Sequence, residues 1–373
     1  MRIGIDAKWF FTGPVSSRVV LQNLLPELFR LFPEHEWIIF LDKKDRQLTF
    51  PIHSPRIEIH YVWADINMLS NLFLLSGKLK SLKVEVMVYQ TFPSWRRAVP
   101  ALSFIHDVLY HQFPEFFTWK EKLYFFPLSW LSRHRSDRLI ATTEYVSSEL
   151  LKYNYASRKS LIDIVPLAVN QSYQPQRNHD PARLSALREK YQLPDKFLLF
   201  VGRLNVRKNI ENLLKALPLL HDRKISLVIV GQADWKTPDL DNILCNQDIR
   251  NRTHLAGAMS DEELILTYSL ASIFCYPSFA EGFGLPPLEA MASGIPVIVS
   301  DTTALPEVCG NAAVFIHPHQ PDSIAEAINE LLENESLYAD KKNQGLQRAR
   351  QFTWEKSAEA LMQSILNTVA LQR

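Results

Sequence analysis

Ala280-Glu281-Gly282-Phe283-Gly284-Leu285-Pro286-Pro287-Leu288-Glu289-Ala290-Met291 carries more information than any other stretch of this 373-residue chain. Two carboxylates, Glu281 and Glu289, bracket a glycine loop that runs straight into a predicted helix. Pro286 and Pro287 suit the first helical turn, where a missing N–H costs nothing. Gly294 suits the residue just past the helix end. The loop therefore offers backbone N–H groups, and the positive end of a helix dipole, to a phosphate or diphosphate. Glycine at 282 and 284 allows a ligand close to the backbone. Carboxylates repel a phosphate, so Glu281 and Glu289 are better suited to accepting hydrogen bonds from the hydroxyls of a ribose or a hexose.

Tyr276-Pro277-Ser278 precedes this block, and Gly294-Ile295-Pro296-Val297-Ile298 follows it. Together they resemble the E-x7-E signature of retaining glycosyltransferases with the GT-B fold, in glycosyltransferase family 4. The resemblance covers nearly the whole chain. It implies an α/β protein of two Rossmann-like domains facing a central cleft, with a C-terminal helix crossing back to the first domain.

The pattern along the chain agrees with that class. Short apolar runs alternate with longer helical patterns, which argues for parallel sheets covered on both faces. In the first half the runs are 2–5, 37–41, 57–62, 84–89, 102–105, 139–141 and 162–165; in the second they are 197–201, 227–230, 253–256, 273–276, 297–299 and 314–316. Helical patterns include 19–31, 210–220, 261–269 and 323–333. The expected layout is an N-terminal domain over 1–170, a polar linker over 171–195, a second domain over 196–351 and a helix over 352–373 that packs back on the first domain.

Gly202-Arg203-Leu204-Asn205-Val206-Arg207-Lys208-Asn209 follows a predicted strand with a glycine turn and three cations. Arginine offers a forked donor set for phosphate oxygens and lysine a compact charge. The resemblance implies that Gly202, Arg203 and Lys208 bind a donor diphosphate and that Arg207 is a variable neighbour. It implies that Glu281 and Glu289, with the loop Gly282, Phe283, Gly284 and Leu285, hold the donor. The strand end Gly257, Ala258 and Met259 would meet the base. His106, in the pair His106-Asp107 after a strand, would reach the transferred sugar. Family members often carry two glycines in the first loop. This chain keeps Gly13 and Arg18 but has Ser16 and Ser17 near the second-glycine position, so the loop serves either the donor phosphate or the acceptor pocket. Thr142-Thr143-Glu144-Tyr145 resembles another family segment, although a helix cap explains it equally well.

Composition excludes several classes. Net charge is +1, and nothing argues for nucleic acid. The halves differ: residues 1–170 carry 21 Lys/Arg and 16 Asp/Glu, a net +5, and the remainder a net −4. A basic first half suits an anionic acceptor or a membrane surface. The stretch 113–135 is rich in aromatic residues and holds Lys120, Lys122, Arg133 and Arg135, so it reads either as a peripheral membrane contact or as a packed helix of the first domain. Cys245, Cys275 and Cys309 form neither a metal pattern nor a disulfide framework, and a cytoplasmic setting is expected. No apolar run approaches the roughly 18–20 residues of a membrane span. Asp239-Leu240-Asp241 lies in a polar loop and reads as surface charge, so no metal site is expected. No G-x-G-x-x-G follows an early strand, which argues against a nicotinamide cofactor.

The expectation is a metal-independent, retaining hexosyltransferase with no cofactor besides its nucleotide diphosphate sugar, of UDP-glucose or GDP-mannose type. The acceptor would be a glycan or lipid-linked molecule, bound mostly by the first domain. His106, Arg203, Lys208 and Glu281 would carry the chemistry. Two rivals share the residue pattern: a GT-B sugar phosphorylase or epimerase, and a non-catalytic nucleotide-sugar-binding protein.

Overall fold

A computed structural model of the chain describes residues 1–63, 71, 75–232 and 240–371. They form two compact units, Met1–Leu167 with Thr353–Arg373, and Ala168–Phe352.

The first unit is built on a parallel sheet of β1 (Arg2–Asp6), β2 (Glu36–Asp42), β3 (Ile57–Val62), β4 (Val86–Tyr89), β5 (Ala101–Ile105), β6 (Arg138–Ala141) and β7 (Ile162–Ile164). Their order is β3-β2-β1-β4-β5-β6-β7. Every residue of β4 and β5 is buried, so both faces of the sheet are covered. That is why these strands read as unbroken apolar runs rather than as an alternation. The helix Trp354–Ala370 belongs to this unit and packs against the helix Val15–Leu31. Thr353 caps its start, accepting from the Lys356 N–H at 3.3 Å. Ser357 Oγ then donates to the Pro166 carbonyl at 2.6 Å, and Ser364 Oγ to Asp163 Oδ2 at 2.5 Å.

The second unit has a parallel sheet of β8 (Phe197–Val201), β9 (Ser226–Val230), β10 (Thr253–Gly257), β11 (Ile273–Tyr276), β12 (Val297–Ser300) and β13 (Ala313–Ile316), in the order β10-β9-β8-β11-β12-β13. Both sheets wind alike. The chain steps outward from the first strand through two neighbours, then crosses to that strand's other side. In open sheets of this kind ligands bind beyond the carboxyl ends of the strands where the winding reverses. Those points lie between β1 and β4 in one unit and between β8 and β11 in the other.

Element ends differ from expectation in instructive places. The first long helix starts at Val15 rather than 19, directly after Pro14. The helix begun at Ile210 stops at Ala216, and a 3-10 turn over Leu217–Leu219 follows, because Pro218 has no N–H to continue the ladder. The expected linker over 171–195 lies inside the second unit and contains the helix Pro181–Tyr191, started by Asp180, whose side chain accepts from the Ala182 N–H. The polar stretch 171–180 precedes that helix as turns, with a 3-10 turn over Gln176–Asn178. Asp239 lies outside the described residues, and Asp241 falls in the short helix Leu240–Ile243.

Candidate functional site

In the second unit the loops after β8 and β11 flank the winding reversal, and they are tied together. Asn209 has a left-handed backbone, with φ of 56°. Its side-chain amide donates to the Pro277 carbonyl at 2.9 Å and to the Pro318 carbonyl at 2.6 Å. The Asn205 side chain accepts from the Lys208 N–H at 3.3 Å, closing the turn that presents Lys208. The β8 loop also abuts the β9 loop. A Cβ on Gly231 would stand 1.9 Å from the Gly202 carbonyl oxygen, so only glycine fits there.

Lys208 and Glu281 meet in this setting. Lys208 Nζ donates to Glu281 Oε1 at 2.6 Å and also bonds the Tyr276 hydroxyl. The same Oε1 accepts from Arg207 Nη1 at 3.0 Å and from Ser278 Oγ at 2.6 Å. Arg207 Nη1 donates further to the Ala280 carbonyl at 2.5 Å. Burial pushes the Glu281 carboxyl up, but Lys208 and Arg207 outweigh it and hold it at about 2. The cluster of two cations and one carboxylate therefore carries a net positive charge at neutral pH. Arg203 is exposed; its carbonyl accepts from the Asn205 N–H at 3.0 Å, and no side-chain hydrogen bond or ion pair of Arg203 is found among the described residues.

After Glu281 the chain runs through Gly282 and Phe283 to Gly284, whose φ is +102°. A Cβ at Gly284 would sit 2.7 Å from Leu305 Cδ2, so glycine is needed twice over, for conformation and for space. The helix Leu285–Ala292 starts here with prolines in its first turn, no side-chain cap and no acidic residue. Gly294 ends it with φ of 73°.

Glu289 has different surroundings. Its Oε2 accepts from the Tyr268 hydroxyl at 2.8 Å, and Tyr173 donates as well. Burial raises its carboxyl to about 7, only partly offset by the two tyrosines. The two glutamates of one motif thus differ in charge state: Glu281 is firmly anionic, and Glu289 titrates near neutrality. At the far edge of this sheet Gly257 and Ala258 are exposed, and Met259 Sδ accepts from Thr267 Oγ1 at 3.2 Å.

His106 and Gly13 belong to the first unit. His106 follows β5 with its ring stacked on Phe104 at 5.8 Å. Burial lowers it to about 4, so it is neutral at pH 7, and its Nε2 is buried with no partner among the described residues. Asp107 Oδ1 accepts from the Leu109 N–H at 3.2 Å, a local turn bond. Gly13 is exposed at φ of +125°, against the Trp9 ring. Thr143 Oγ1 accepts from the Val146 N–H at 3.1 Å, so its segment starts a helix.

Sequence reasoning passed over several residues. Arg207 was read as a variable neighbour, yet it grips Glu281. Tyr173 and Tyr268 were not singled out, yet they hold Glu289. At the end of β1, Lys8 is buried and donates from Nζ to Asp6 Oδ1 at 2.6 Å and to Asn71 Oδ1 at 2.5 Å. An isolated lysine among apolar residues was the available signal for Lys8; the others carried none. Among the described residues no group of three or more His, Cys, Asp or Glu side chains could hold a metal ion.

The profile of the family described as glycosyl transferases group 1 matches residues 185–348. The O-antigen chain mannosyltransferase B of Escherichia coli is 33% identical over 261 residues, which are 68% of this chain and 67% of that protein. The serotype-specific mannosyltransferase WbdA of Escherichia coli is 30% identical over 231 residues, 60% of this chain but only 28% of that protein. Among solved structures, a sucrose-phosphate synthase from Thermosynechococcus elongatus superposes with a TM-score of 0.76 over 100% of both chains at 18% identity, which establishes a shared fold.

Proposed function

Because this chain belongs to the glycosyl transferases group 1 family and has the GT-B fold, we propose that it moves a hexose from a nucleotide diphosphate sugar to a glycan or lipid-linked acceptor in polysaccharide assembly. The names of its mannosyltransferase relatives favour mannose as the sugar. The observation that carries the reading is the Lys208–Glu281–Arg207 cluster at the β8–β11 reversal, beside an uncapped helix start free of acidic residues.

The chemistry assigned to the site is leaving-group stabilisation. The bond from the anomeric carbon to the β-phosphate oxygen breaks, and its electron pair leaves with the diphosphate. The acceptor hydroxyl oxygen bonds to the same carbon, from the same face, so configuration is retained. A phosphate oxygen takes the hydroxyl proton. Lys208, Arg203 and the Gly282–Leu285 amides leading into the helix Leu285–Ala292 neutralise the departing charge. In this scheme fixed cations do what a metal ion does elsewhere. Glu281 locks Lys208 in place and accepts from sugar hydroxyls. Glu289 accepts from the ribose. The family resemblance assigns His106, neutral at pH 7, to the transferred sugar and Gly13 to donor binding.

The experiment is release of nucleoside diphosphate from GDP-mannose and UDP-glucose with and without glycan acceptors. Acceptor-dependent release supports the proposal. Release that requires inorganic phosphate, or no turnover with any acceptor despite nucleotide binding, favours the phosphorylase or binding-protein alternatives.

A further inference from the structure

The helix Trp119–Arg135 of the first unit has two apolar sides. Leu128, Leu131 and Ser132 are buried, as expected for a helix lying on a core. Trp119, Leu123, Phe126 and Trp130 are 69%, 67%, 43% and 46% exposed. Their spacing of 4, 3 and 4 residues places them within about 60° of one another around the helix, opposite the buried side, in a stripe about 16 Å long. The outer face of a surface helix is normally polar. Here it is apolar, and Trp95 extends it: 48% exposed, with its ring 6.0 Å from that of Trp130.

The flanks of the stripe are cationic. At 100° per residue, Lys120 lies on one shoulder, and Lys122 and Arg133 on the other. Glu121, the one acidic residue in this helix, points elsewhere, because its carboxylate closes a capping box on Thr118. Arg96 adds charge in the loop carrying Trp95, while Arg97 is paired with Asp137. No helix among the described residues is long and apolar enough to cross a membrane.

We propose that this face docks on an anionic lipid bilayer, with the helix lying in the interface plane. Tryptophan suits that depth because its ring is apolar and its N–H is polar. Flanking lysine and arginine bury their stems while their charges meet anionic headgroups. The charge selects a bilayer over a second copy of the chain: two such faces would bring like charges together. The inference is independent of the donor chemistry proposed above.

The test is flotation of the full chain with vesicles of phosphatidylglycerol and phosphatidylethanolamine, and with vesicles of phosphatidylcholine alone. The anionic vesicles should bind the protein at about 0.15 M salt, and high salt should release part of it. Two variants separate the contributions. Trp119→Ser with Leu123→Ser and Trp130→Ser should weaken binding at least about tenfold at every salt concentration. Lys120→Glu with Lys122→Glu and Arg133→Glu should weaken it chiefly at low salt. Apart from the half-buried Lys122, the replaced side chains are exposed, and thermal unfolding of the first unit unchanged from wild type would verify their folding. The proposal is overturned if the wild type ignores anionic vesicles, if the serine variant binds as well as wild type, or if the stripe proves to hold two copies together, seen as a dimer that the serine variant dissociates.

Discussion

Lys208 Nζ lies 2.6 Å from Glu281 Oε1, with Lys208 9% and Glu281 8% exposed. A buried pair of this kind is costly to break from one side, because the remaining charge loses its partner. Glu281 keeps Arg207 and Ser278 when Lys208 is removed, whereas neutralising Glu281 takes the shared carboxylate from Lys208 and Arg207 together.

Glu281→Gln should therefore destabilise the second unit more than Lys208→Met, by roughly 3 kcal/mol against roughly 1–2 kcal/mol. Thermal unfolding of both variants checks the order. The carboxyl is held at about 2 in the folded protein, below its usual range. Its contribution is thus fully present above the unfolded value and is lost as pH falls through the folded one. Glu281→Gln should flatten the stability profile below about pH 4.5.

Arg203 and Arg207 should separate cleanly. Arg203→Ala should leave the melting temperature unchanged, since the side chain is exposed, and cut turnover by about a hundredfold. Arg207→Ala should lower the melting temperature, because it removes bonds to Glu281 and the Ala280 carbonyl. Equal effects of both on stability would contradict the geometry.

Glu289 should give nucleotide binding a pH dependence. Its carboxyl is raised to about 7, so it is largely protonated at pH 6 and ionised at pH 8. The carboxylate accepts a ribose hydroxyl more strongly than the acid does. Affinity for GDP or UDP should rise through neutral pH in the wild type and stay flat in Glu289→Gln. Stability runs the other way: the folded state holds this proton where the unfolded state does not, so it falls as pH rises toward 7. Calorimetric titration at pH 6 and pH 8 measures the first effect and thermal unfolding the second.

Gly231→Ala should be severe, about 2–4 kcal/mol, because the new Cβ meets the Gly202 carbonyl oxygen at 1.9 Å and the backbone holds φ of +147°. Gly257→Ala meets open space and should cost only the backbone strain of φ +70°.

The strands were legible because a parallel sheet buried on both faces leaves an uninterrupted apolar run at each one. Phe197–Val201 and Ile273–Tyr276 coincide with the expected spans, and most others differ by one or two residues. Helix ends were less legible where proline geometry decided them, as at Pro14 and Pro218. Among the site residues, Glu281, Glu289 and Lys208 sit in a recognisable local pattern. Arg207 and Tyr173 do not. Arg207 meets Glu281 across 74 residues of sequence, and Tyr173 lies in a polar segment that resembled a linker. A partner supplied by tertiary approach leaves no mark in local spacing.

The most direct test of the central claim is calorimetric titration of the wild type, Arg203→Ala and Lys208→Met with GDP, UDP and the matching monophosphates. A site built around a leaving diphosphate should bind one of the diphosphates at least about tenfold more tightly than its monophosphate, and each substitution should erase most of that difference. Equal affinity for mono- and diphosphate in the wild type, or a difference that survives both substitutions, would contradict the assignment of Arg203 and Lys208 to the diphosphate.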